Sequence, residues 1–175
     1  ADYSSMLRGG GAKGFARAEQ LARLYPIFLP AVGFKYVDAG RYADAARIFD
    51  DWIAYDLSFA KGKTWKQGSW PLAASALAHG LAGNWDVATK RAAEARANDQ
   101  KRVADGSPEG NRSTTAEYLD LFEVLKLAKE GNEAGARRMF TGRSAWLEPP
   151  LGAVMAANAK LRPGAKPAKL SSSVR

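Results

Sequence analysis

The chain of 175 residues predicts an all-α fold, an array of about three helical hairpins with a further helix at each end. Three observations carry that expectation. Alanine is abundant while Val and Ile are scarce, a balance that favours helices over sheets. Three apolar segments, "PIFLPAVGFKYV", "WPLAASALAHGL" and "AEYLDLFEVLKLA", repeat their hydrophobic residues three and four apart, as one face of a helix requires. Behind each stands a variant of one phrase: "AGRYADAARIF" from 39, "AGNWDVATKRA" from 82 and "EGNEAGARRMF" from 130. In each phrase a glycine supplies the left-handed turn that ends one helix, and an alanine five positions on lets the next helix pack closely.

Taken in order, "AKGFARAEQLARLY" predicts a helix over 12–25 that stops before Pro26 and caps the array, after a flexible leader over 1–11 that carries the first three glycines of "RGGGAKG". A second helix over 27–38 ends at Gly40, and a third follows over 41–59. Helices over 70–82 and 84–103 flank Gly83. Ser113 and Thr114 offer an N-cap to a helix over 114–130, and Gly131 separates it from one over 132–143. "EPP" at 148–150 marks the start of a closing helix predicted over 148–161, which runs on through "LGAVMAANAKL". The repeat domain thus covers 12–162, and residues 163–175 form a basic tail too poor in apolar residues to stay ordered alone.

This arrangement resembles the tetratricopeptide repeat, a helix-turn-helix unit of about 34 residues. The first copy matches through Leu29, Val32, Gly33, Tyr36, Gly40, Tyr42, Ala45 and Phe49. The second matches through Leu72, Ala76, Gly83, Trp85 and Ala88, with Ala92 where an aromatic is usual. The third keeps Leu127, Gly131, Ala136 and Phe140 but has Glu133 at the turn aromatic. The turn glycines are 43 and then 48 residues apart, so each unit carries an insertion: "AKGKTWKQGSWP" at 60–71 and "DQKRVADGSPEGNRS" at 99–113. In such arrays insertions fall on one side, because successive hairpins join at the same edge.

The resemblance implies a concave groove lined by the first helix of each hairpin, where a peptide or a partner protein binds. Its positions here are Phe34, Val37 and Asp38, then Trp70, Ala73 and Leu77, then Tyr118, Leu121 and Leu125. With Trp65 from the first insertion, the expected partner-binding residues are Phe34, Val37, Trp65, Trp70, Leu77, Tyr118, Leu121 and Leu125. The groove is largely apolar and lacks the Lys, Arg and Asn with which members of the family grip a terminal carboxylate. The repeat logic assigns Tyr42, Phe49, Trp85 and Phe140 to the core.

Catalytic chemistry finds little support. Gly62-Lys63-Thr64 resembles the end of a phosphate loop, but position 57 is Leu57 where that loop needs glycine. His79 is the sole histidine, which leaves no second imidazole to share a metal, and Ser75 lies one turn before it with no evident acidic partner. Glu117, Asp120 and Glu123, spaced by three, read as a solvated helix face, and Asp50-Asp51 as another carboxylate pair. No cysteine is present, so disulfides and thiol chemistry are excluded. The expectation is a non-enzymatic protein–protein interaction module or scaffold without cofactor or metal.

The alternative is a salt-sensitive binder of nucleic acid or an anionic surface. The formal charge is +8; residues 149–175 hold five basic and no acidic residues, and the remaining chain holds 21 basic and 18 acidic. No apolar run is long enough to span a membrane. A start at "ADYSS" matches signal removal at a small-residue site or a trimmed chain, and the reading leans to a periplasmic or secreted home. Oligomeric state is not legible from these residues.

Overall fold

The computed structural model describes residues 11–60, 68–106, 112–140 and Val154. Among these the chain is helical, with no strand. Helix α1 spans Ala12–Leu24, and a 3-10 turn over Pro26–Phe28 leads into α2, Leu29–Asp38. Then come α3, Tyr42–Ala60; α4, Ser69–Leu81; α5, Trp85–Ala104; α6, Arg112–Lys129; and α7, Glu133–Phe140. Pro26 cannot donate a backbone hydrogen bond, so the segment expected as one helix over 27–38 opens with the 3-10 turn instead. Helix α6 begins at Arg112, which puts Ser113 and Thr114 inside its first turn rather than at an N-cap. The leader up to residue 10, the tail, residues 141–143 and the closing helix apart from Val154 lie outside the described residues; Val154 itself is helical and fully buried.

The three repeated phrases fold into the same turn. Gly40, Gly83 and Gly131 have φ of 70°, 85° and 82°, a region open to glycine without steric cost. Around each, one set of backbone bonds recurs. The residue after the glycine donates five positions back, Arg41 to Tyr36, Asn84 to His79 and Asn132 to Leu127, each at 2.8 Å. The glycine itself donates to Val37, Gly80 and Ala128 at 3.0–3.1 Å. These bonds satisfy carbonyls that a helix end leaves without partners. Five residues after each glycine, Ala45, Ala88 and Ala136 are 0%, 0% and 4% exposed, which closes the hairpin.

Helix α4 is the centre of the molecule. It packs against α3, α5 and α6, and ten of its thirteen residues are buried. That follows from its composition: Leu, Ala, Gly and Ser on every face leave no polar stripe to turn toward water. The junctions between hairpins differ. The first hairpin meets the second through α3 on α4, whereas the second meets the third chiefly through α4 on α6. Trp85 adds a bridge from α5, its ring 6.5 Å from that of Phe122, with Lys129 Nζ 4.3 Å over its centre.

Polar bonds gather the attachment points of the two long connections opposite the glycine turns. Gly68 N–H donates to Asp56 Oδ2 at 2.6 Å, and Asn98 Nδ2 donates to Ser69 Oγ at 3.1 Å. The start of α4 is thereby held beside the later turns of both α3 and α5.

Candidate functional site

The first helices of the three hairpins bring an aromatic ring each to one place. Phe34 of α2 stacks on Tyr118 of α6, centroids 5.4 Å apart and planes at 20°, and Trp70 of α4 lies 6.5 Å from both. Phe34 also tilts against Phe49 at 4.9 Å. Trp52, on α3, meets Trp70 edge-on at 4.9 Å. Offset and edge contacts of this kind suit the ring quadrupoles. Phe34, Trp52 and Trp70 are partly buried and partly open to solvent.

Three expected groove residues therefore converge, but the groove they line is narrower than expected. Because Phe34 reaches across to Tyr118, the first and third hairpins touch through their own side chains, and Tyr118 is only 4% exposed. Burial pushes the Tyr118 phenol well above its ordinary pKa, with Glu117 adding to the effect. Val37, Leu77, Leu121 and Leu125 are 2%, 2%, 0% and 1% exposed, and Ala73 is fully buried. These five are core, a correction to their expected groove role: the central position of α4 covers Ala73 and Leu77, and α4 in turn covers the α6 leucines. Asp38 is exposed and pairs with Lys35 at 3.4 Å. Trp65 and Gly62-Lys63-Thr64 lie outside the described residues. Sequence reading passed over Trp52, although it stands three residues after the core Phe49, on the same helix face.

Of the aromatics assigned to packing, Phe49 is 1% exposed, whereas Tyr42 and Trp85 are partly covered; burial raises the Tyr42 phenol's pKa. The Phe140 side chain lies outside the description. The Trp70 indole N–H is buried and bonds to nothing among the described residues, as does Glu117 Oε2.

A second cluster joins the second hairpin to α3. Asp50 Oδ1 accepts from Ser75 Oγ at 2.8 Å, and Oδ2 accepts from His79 Nε2 at 2.9 Å. Arg91 Nη2 reaches Asp50 Oδ1 at 3.4 Å, while its Nη1 donates to Glu94 Oε2 at 3.0 Å. Burial acts to raise the Asp50 pKa, but the bonds from His79 and Ser75 and the charge of Arg91 outweigh it, so the carboxyl ends below its ordinary value. Asp50 is the acidic partner that sequence reading did not find for His79; their separation of 29 residues hides the pair. The order of bonds is not that of an activated nucleophile. The carboxylate stands between the hydroxyl and the imidazole, so the Ser75 proton is held by Asp50 and not by the His79 imidazole.

The remaining carboxylates are also accounted for in part. Glu123 pairs with Arg96 across α5 and α6 in an exposed ion pair. Beside the Asp50 cluster a cleft of about 440 Å³ opens between α3 and α5, floored by Ile53 and Leu72 and rimmed by Leu57, Arg91, Glu94 and Lys101. No group of three His, Asp or Glu side chains that could hold a metal occurs among the described residues. No described helix is long and apolar enough to cross a membrane. Compared with protein-family models, with curated proteins and with solved structures, the chain matches none.

Proposed function

We propose that the chain is a non-enzymatic interaction module, a tetratricopeptide-like helical array that binds a peptide or a partner protein at its aromatic rim. The observation that supports this reading most is the meeting of Phe34, Trp52 and Trp70. They are large aromatic residues from three different helices, partly buried, rigidly backed by Phe49 and Tyr118, and partly open to solvent. Tryptophan and tyrosine surfaces of this kind supply most of the binding energy at protein interfaces at little entropic cost. The recurrence of one turn geometry at Gly40, Gly83 and Gly131 supports the repeat reading. The unlike junctions around α4 fit repeats that carry insertions between hairpins.

Affinity capture from native extract, with mass spectrometric identification at two salt concentrations, tests it. The reading expects a defined polypeptide retained by the wild-type chain and lost from Trp70→Ala. Retention of no polypeptide, or equal retention by the variant, overturns it. Retention of nucleic acid that falls steeply with salt instead supports binding through the basic segments at 61–67 and 149–175, which lie outside the described residues but for Val154.

A further inference from the structure

Helix α1 is attached to the body with little apolar burial. It buries only Ala18 and Ala22, the smallest apolar side chains, against the cluster of Leu29, Val32, Tyr36 and Ile48. At its end and just beyond, Leu24, Tyr25 and Ile27 are 69%, 58% and 77% exposed, and Phe28 is the residue there that packs against the same cluster. The bonds that hold α1 are polar and meet at Glu19. Arg47 of α3 grips this carboxylate with both Nη atoms, at 2.6 and 2.9 Å, and the Tyr36 hydroxyl of α2 donates to it at 2.9 Å. Arg23, on α1 itself, reaches Glu19 at 3.3 Å and Asp51 of α3 at 2.9 Å.

A larger apolar contact of α1 is bound into the same cluster. Phe15 stacks on Tyr36 at 4.7 Å, and the Arg41 guanidinium lies over both rings, 5.3 and 4.6 Å from their centres. Arg41 and Arg47 are shared with Asp44. Among the described residues, Arg23 and Arg47 pair with Glu19 directly and Tyr36 is the neutral donor, while Arg41, Asp44 and Asp51 complete the cluster through Tyr36, Arg47 and Arg23. Bonding to Arg47 is the main reason that the Glu19 carboxyl is held down to about 2, and bonding to Glu19 adds to the burial that lifts the Tyr36 phenol to about 12.

We infer that α1 is a charge-latched cap: the Glu19 cluster, and not apolar packing, keeps it on the α2–α3 hairpin, so that screening or neutralising Glu19 releases α1 while the bundle around α4 stays folded. Release uncovers the Val32, Tyr36 and Ile48 face of the first hairpin, which makes that face available only under conditions that break the latch. The distinction from an ordinary end helix is the sensitivity to salt, since apolar packing does not weaken as charges are screened.

Hydrogen exchange of the full chain, followed by mass spectrometry, decides the matter. Amide protection over 12–24 is compared between ~0.05 M and ~1 M sodium chloride, where the screening length falls to roughly 3 Å, and between the wild type and Glu19→Gln at low salt, with α4 as the internal reference. The expected result is exchange over 12–24 at least about tenfold faster in high salt and in Glu19→Gln, with α4 unchanged. Protection over 12–24 that is insensitive to salt overturns the inference, as does protection lost only together with that of α4. The salt comparison uses the native chain, so it holds even if Glu19→Gln folds poorly.

Discussion

The ring of Phe49 occupies the space where a side chain at residue 33 would begin. A Cβ built on Gly33 would lie 2.4 Å from Phe49 Cε1, and Phe49 is itself 1% exposed with Phe34 against its other side. The pair sets how closely α2 approaches α3.

Gly33→Ala should therefore destabilise the chain. Helix propensity alone favours alanine by about 0.5–1 kcal/mol, but overpacking a full core costs about 1–3 kcal/mol, and the buried ring has nowhere to move. A net loss of about 1–2 kcal/mol in urea unfolding is expected. Gly80→Ala is the milder comparison, because its nearest neighbour, Leu125 Cδ2, is 3.1 Å away and has less distance to give than Phe49 would have.

Substitutions at the expected groove should separate into two classes. Leu121→Ala removes a fully buried side chain and should cost about 2–5 kcal/mol of stability, so any loss of partner capture comes with loss of fold. Trp70→Ala opens the half-buried rim and should lower capture by about thirtyfold, the effect of a binding hot spot worth ~2 kcal/mol, while far-ultraviolet circular dichroism keeps its helical form. A capture loss with Leu121→Ala at full stability would contradict the core assignment.

Asp50→Ala strands the buried Ser75 hydroxyl and the His79 imidazole together, since both bond to the one carboxylate. The expected cost is about 1–3 kcal/mol, read by thermal or urea unfolding. Asp50→Asn should recover part of it, because an amide oxygen still accepts from one of the two. Equal stability of Asp50→Ala and wild type would show that these bonds do not hold α3 to α4.

Acid should loosen α1 first. The Glu19 carboxyl titrates near 4.5 in an unfolded chain and is lowered to about 2 in the folded one. The folded state binds this proton less readily, so the stabilisation is complete above about 4.5 and is lost as the pH falls from there toward about 2. Asp50 is shifted in the same direction and adds to the loss below its ordinary value of 3.8. Measured between pH 6 and pH 2, α1 protection corrected for intrinsic exchange should decline in the wild type and stay flat in Glu19→Gln, about the range over which Glu19 titrates.

Local physics determined much of this fold. Glycine's tolerance of positive φ, with an alanine five residues on, located the three turns, and the spacing of apolar residues located the helices from α1 to α6 to within a residue or two. Pro26 marked the break after α1. The N-terminus of α6 was misplaced because Ser113 and Thr114 favour caps by local hydrogen bonding, whereas in the folded chain the helix extends back to Arg112.

What the sequence alone determined is therefore the list of elements and the turns between them, since both depend on residues within one or two helical turns of each other. Which face of each helix is reachable was decided by the tertiary structure. The repeat resemblance put Phe34, Trp70 and Tyr118 among the expected groove residues together with Leu77, Leu121 and Leu125, but only the burial of α4 among α3, α5 and α6 sent the three leucines into the core and left Trp52 on the rim. The bonds from Asp50 to His79 and from Glu19 to Arg47 span 29 and 28 residues. No periodicity encodes such pairs, because their geometry exists only once separate helices have packed.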